Sequence, residues 1–116
     1  MTRTEIEAYM VKKFNTKPAY LFKKYPQYAV FRHQNNKWYA LIMNIAKMKL
    51  GLEGKENIEI LNLKCGEELN SLLKKQPNFL PAYHMNKKHW ITIILDETLV
   101  KEDIYTLINL SYDLTK

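Results

Sequence analysis

The chain of 116 residues contains one cysteine, three glycines and three histidines. A lone thiol, Cys65, excludes an internal disulfide and fits a reducing, cytoplasmic setting. The glycines, Gly51, Gly54 and Gly66, match neither dinucleotide-binding nor P-loop spacing, so no phosphate-cradling loop of those types is expected. No run approaches the roughly 20 apolar residues needed to span a bilayer. The first 15 residues hold two acids and no apolar block, unlike a signal peptide. There is no repeat, low-complexity tract or linker. These absences predict a single domain over residues 1–116, with no membrane partner.

What the chain does have is positive charge, +6 in all. Residues 1–30 carry +4, residues 31–95 carry +5, and residues 96–116 carry −3. A basic body attracts phosphate backbones through counterion release. The same charge also serves plain solubility, and many basic proteins bind no nucleic acid.

The apolar periodicity gives the order helix, hairpin, strand, helix, strand, helix. Residues 2–14 read as a helix, with capping-box spacing at Thr2/Glu5 and Thr4/Glu7 and a stripe of Ile6, Tyr9, Met10 and Phe14. Pro18 is expected to open a short helical turn, Ala19 to Lys24, closed by Pro26. Residues 28–34 and 37–46 read as a hairpin with Asn35-Asn36 at its tip. The second strand is apolar on both faces and therefore central. An exposed loop, 47–57, leads to a strand at 58–64, with Leu61, Leu63 and Cys65 facing inward. A helix runs from Gly66 to Gln76 with Leu69, Leu72 and Leu73 inward, and Pro77-Asn78 ends it. Residues 90–96 form the last strand and 101–112 the last helix. Short connections imply an antiparallel sheet with helices packed on one face, a two-layer α+β sandwich.

The densest chemistry lies in Pro81-Ala82-Tyr83-His84-Met85-Asn86-Lys87-Lys88-His89-Trp90. In one reading it is a recognition loop. Lys87 and Lys88 bind phosphates, Asn86, His84 and His89 add hydrogen bonds, and Trp90 or Tyr83 stacks on a base. In the other reading the aromatics seal the sheet edge and the polar groups tie down an irregular turn. Basic residues also interleave with aromatics at Arg32, His33, Lys37, Trp38 and Tyr39, followed by Lys47, Lys49 and Lys55. If the hairpin tip and the 47–57 loop flank the helix with Lys74 and Lys75, they form a groove with basic walls.

That segment, with Asn62-Leu63-Lys64-Cys65 and Ser111-Tyr112-Asp113-Leu114, resembles the MmcQ/YjbR family over nearly the whole chain. The resemblance implies a CyaY-like (frataxin-type) arrangement, in which paired hairpins have been read as wings of a DNA-binding module. Iron binding through acidic ridges, known for frataxin-type proteins, does not transfer to a chain whose first 30 residues are basic.

Other chemistries are weaker. His84 and His89 are five apart, which does not bring two side chains to one helix face, and no carboxylate neighbours them, so no metal site or cofactor is expected. Cys65 precedes a helix start, where a thiol can be activated, but its inward register marks a buried structural thiol, and no catalytic residue is assigned. The expectation is a non-enzymatic DNA-binding module. Its contacts are Lys87, Lys88, Asn86, His84, His89, Trp90, Arg32, Lys37, Lys47 and Lys49, and its affinity is weakly sequence-specific. The alternatives are a protein-interaction or chaperone-like module, with a protein partner or a second copy as homodimer, recognised by an apolar patch with Ile94, Trp38 or Tyr39 on the free sheet face, and a small-molecule site at the His84–His89 loop.

Overall fold

Two apolar faces on one sheet organise the molecule, a computed structural model of which describes residues 1–116. Five strands, β1 (Ala29–Arg32), β2 (Trp38–Ala46), β3 (Asn57–Lys64), β4 (Phe79–Pro81) and β5 (Trp90–Ile94), pair antiparallel in the order β1-β2-β3-β5-β4. Three helices, α1 (Arg3–Phe14), α2 (Glu67–Leu73) and α3 (Lys101–Leu114), supply the second layer. The α+β reading therefore holds.

On the helix side, Ile6 and Met10 of α1 and Ile104 and Ile108 of α3 pack with Phe31, Ile42, Leu61, Leu63, Ile91 and Ile93 of the sheet. Alternation along each strand sends these side chains to one face and their neighbours to the other. Cys65 joins this core. Tyr39 joins it too, because the pairing slips between Phe31 and Arg32, so that Phe31 faces Ala40 and Arg32 faces Trp38. That bulge places both Tyr39 and Ala40 in the helix-side core, leaving Trp38 with the opposite cluster.

The opposite face is also buried. Val30, Leu41, Met43 and Ile60 are covered by Phe22 from the segment before β1 and by Tyr83 and Met85 from the segment before β5. An open apolar patch containing Tyr39 is thus not formed, since that ring is fully enclosed among the helices.

Several elements differ from the sequence reading. Residues 19–24 form no helix, only one hydrogen-bonded turn in which Tyr25 N donates to Phe22 O at 3.1 Å. Ala19 instead exchanges two 2.8 Å backbone hydrogen bonds with Val30. A stretch bounded by two prolines is too short to repay helix nucleation, and the outer edge of β1 offers unpaired backbone groups. The 47–57 loop begins with a 3-10 turn, Lys47–Leu50, ended by Gly51 at φ 77. Helix α2 is shorter than expected, and Leu72 faces solvent at 62% exposure while Leu69 and Leu73 pack inward. The three-residue strand β4 was not anticipated, because Pro77-Asn78 reads only as a breaker. No helix is long and apolar enough to cross a membrane.

Candidate nucleic-acid interface

Antiparallel pairing fixes which loops meet. Arg32 ends β1, Trp38 opens β2, Lys64 ends β3 and Trp90 opens β5, so all four lie at one end of the sheet. The hairpin tip 33–37, the 82–89 segment and the C-terminus of α3 gather there. His33 Nε2 lies 2.8 Å from Thr115 Oγ1. Ser111 of α3 accepts from Lys64 N at 2.9 Å and donates to Tyr39 O, bridging the place where β2 and β3 part.

The 82–89 segment is pinned by buried polar side chains. Asn62 and Thr92 face each other across β3 and β5, both with no exposure. Thr92 Oγ1 donates to Asn62 Oδ1. Asn62 Nδ2 donates to Tyr83 O at 3.0 Å, and Tyr83 N donates to Thr92 Oγ1 at 2.9 Å. The sheet thereby satisfies both backbone groups of one loop residue. Further on, Asn86 Oδ1 accepts from Lys88 N at 2.9 Å and from His89 N at 3.2 Å, while Asn86 O accepts from Trp90 N at 2.9 Å. His89 O accepts from Cys65 N and Gly66 N, and Asn70 Nδ2 donates to Trp90 O. His84 takes a left-handed backbone, φ 59.

These bonds sort the expected contact residues. Lys87, Lys88, His84 and Asn86 are exposed, and Lys37 is exposed across from them. Trp90 is 9% exposed, so it forms a wall and offers no open face for a base to stack on. Asn86 spends its carbonyl oxygen on the turn. His89 is half-buried. Lys37, Lys64, Trp38 and Trp90 line a shallow groove of about 340 Å³. Lys64 is not among the phosphate contacts expected from sequence; alternation after the buried Leu63 is the signal that turns it outward.

The groove imagined around the helix does not form. Nine residues of β2 separate the hairpin tip from the 47–57 loop, roughly 30 Å at about 3.3 Å per residue. Lys47 therefore lies at the far end, paired with Glu56 at 2.7 Å. Lys49 starts there too, but reaches the sheet face near His84.

The two ends differ electrically. Four of the five ion pairs, Arg3–Glu7, Arg3–Glu59, Lys47–Glu56 and Lys101–Glu5, sit at the far end, leaving Lys116–Asp113 at the near one. Of the twelve acids only Glu67, Glu68 and Asp113 lie at the near end. Arg32, Lys37, Lys64, Lys87 and Lys88 make no ion pair. Cys65 lies behind this surface, and burial pushes its thiol pKa up, against weaker opposing effects of Asn70 and Lys74. That is the reverse of an activated nucleophile.

Comparison with known proteins follows the same outline. The YyaQ protein of Bacillus subtilis (strain 168) is 49% identical over 117 residues, spanning 100% of this chain and 99% of its own. The YjbR protein of Escherichia coli (strain K12) is 41% identical over 58 residues, 49% of each chain. A crystal structure of a Pseudomonas syringae protein covers all of both chains with a TM-score of 0.96 and 45% identity. A Deinococcus radiodurans structure covers 85% of this chain and 67% of its own, with a TM-score of 0.65 and 27% identity. The YjbR family model matches residues 12–114, and with a full-length relative at this identity the chain belongs to the YjbR family.

Proposed function

We propose that the protein is a non-enzymatic DNA-binding module that holds the phosphate backbone at the end of the sheet formed by the β1–β2 hairpin and the 82–89 segment. The observation that supports this reading is the gathering of Arg32, Lys37, Lys64, Lys87 and Lys88 without acidic partners. At the opposite end nine of the twelve acids lie among the cations, and Arg3, Lys47 and Lys101 are ion-paired. Unpaired cations on one surface release counterions when they meet phosphates, and that release drives binding. The hairpin tip and the pinned loop stand as two projections on either side of the Lys37–Lys64 groove. No base-reading helix enters the interface, so affinity depends on salt far more than on sequence.

Fluorescence anisotropy with a short duplex tests the reading. About five phosphate contacts predict a slope of log K against log salt near −4 to −5. Absence of binding at about 50 mM salt would remove the proposal.

A protein-interaction module, with a partner chain or a second copy, is favoured by a different observation. Tyr20 and Leu21 are adjacent and 55% and 46% exposed, next to the bridge that extends the β1 edge. Sedimentation showing a monomer at all concentrations, with no captured partner lost on Tyr20→Ser/Leu21→Ser, would leave this second reading without support.

A further inference from the structure

The sheet face away from the helices carries a cleft of about 490 Å³, in the size range of small-molecule sites. Phe22, Tyr25 and Tyr28 form one wall, Trp38 closes one end, and Tyr83 stands on the other side. Tyr25 stacks on Tyr28 at 4.7 Å between ring centroids, and Phe22 meets Tyr28 and Trp38 edge-on at 5.6 and 6.1 Å. These contacts hold the wall rigid, so a flat ring can enter without ordering it first. The opposite wall is fixed as well, by the Asn62 and Thr92 bonds to the Tyr83 backbone. Burial raises the Tyr28 phenol pKa, with Tyr83 and Tyr25 adding to the effect, in keeping with phenols that face each other across the gap.

The rim determines the charge of the occupant. Among the lining residues only Lys49 carries a full charge; His84 and the hydroxyls of Tyr25, Tyr28 and Tyr83 add neutral polar groups. Lys49 has no ion-pair partner. An aromatic enclosure of this kind could also attract a quaternary ammonium. Here no carboxylate lines it, and Lys49 would repel a cation.

We propose that this cleft binds a planar aromatic carboxylate, its ring between the Tyr25–Tyr28 wall and Tyr83, its acid group toward Lys49 and His84. The proposal does not rest on the DNA reading, because the DNA contacts lie at the sheet end and Lys49 is not among them.

Amide chemical shifts of the full chain, followed during titration with 2-naphthoate, provide the test. The expected result is saturable shifts at Phe22, Tyr28, Trp38 and Tyr83 at millimolar ligand. The neutral 2-naphthalenemethanol should bind about fivefold more weakly, the worth of one half-exposed charge contact. Lys49→Met, at an exposed position, should bring naphthoate down to the alcohol's affinity while leaving the rest of the spectrum in place. Shifts scattered outside the cleft, equal affinity for the alcohol, or preferential binding of tetramethylammonium would overturn the proposal.

Discussion

Asn62 and Thr92 show how much of this molecule depends on single side chains. Each is fully buried, Thr92 in an otherwise apolar strand and Asn62 between Leu61 and Leu63. A buried amide costs free energy unless it is bonded, and here its bonds hold the loop that carries Lys87 and Lys88. Asn62→Ala leaves Tyr83 O and the Thr92 hydroxyl without that partner and should destabilise the protein by about 1–3 kcal/mol, read as a lower midpoint in urea. His84 is the opposite case. Its left-handed backbone costs an L-residue about 1–2 kcal/mol, and glycine is free of that cost. In chemical denaturation His84→Gly should therefore match or exceed the parent in stability, whereas His84→Val, β-branched at the same φ, should fall below it. A chain that tolerated both changes equally would not hold this backbone.

At the scale of elements, the sequence was legible wherever local chemistry decides. Helix α1 starts where the Thr2/Glu5 box places it, with Glu5 N donating to Thr2 Oγ1 at 3.2 Å and Thr2 N donating to Glu5 Oε1 at 3.1 Å. Thr2→Ala should cost about 1 kcal/mol, measured by thermal or urea unfolding. Strands β3 and β5 follow their alternation, and β2 does so from Ala40 onward. The failures have a common cause. Residues 19–24 and 79–81 take their conformation from partners distant in sequence, Val30 for Ala19 and Ile93 to Ile91 for β4. Leu72 fits an inward stripe by spacing, but α2 buries only the narrow face carrying Leu69 and Leu73. The candidate site was legible as residue types in the 81–90 segment. Its grouping was not, because antiparallel topology, invisible in local pattern, sent Lys47 to the far end and brought Lys64 to the near one.

Over the whole molecule, the fold converts a basic chain with an acidic tail into a body with one basic end. The acids of residues 96–116 mostly belong to the start of α3 and the loop before it, so they lie at the far end, and only Asp113 reaches the near one. His33 ties the hairpin tip to the C-terminal turn, and its pKa is lowered, chiefly by burial, with Lys116 and Lys37 adding to the effect and a hydrogen bond involving the Tyr112 backbone opposing it. The sign is definite. Below about pH 6.5 the unfolded chain takes up this proton more readily than the folded one. Stability from neutral His33 is then present above that pH and lost as pH falls toward the folded value. Melting temperature should therefore decline as pH falls below about 6.5, and His33→Gln should flatten the decline.

The central claim is that position, more than net charge, makes the binding surface. Lys87→Glu/Lys88→Glu and Lys49→Glu/Lys55→Glu lower the net charge equally, the first pair at the basic end and the second in the turn and loop after β2. Duplex anisotropy at low salt, on both variants with their folds checked by circular dichroism, separates the two. The account predicts that the first loses at least about tenfold in affinity and has a shallower salt slope, while the second stays within about threefold of the parent. Equal loss in both, or no binding by the parent, would contradict it.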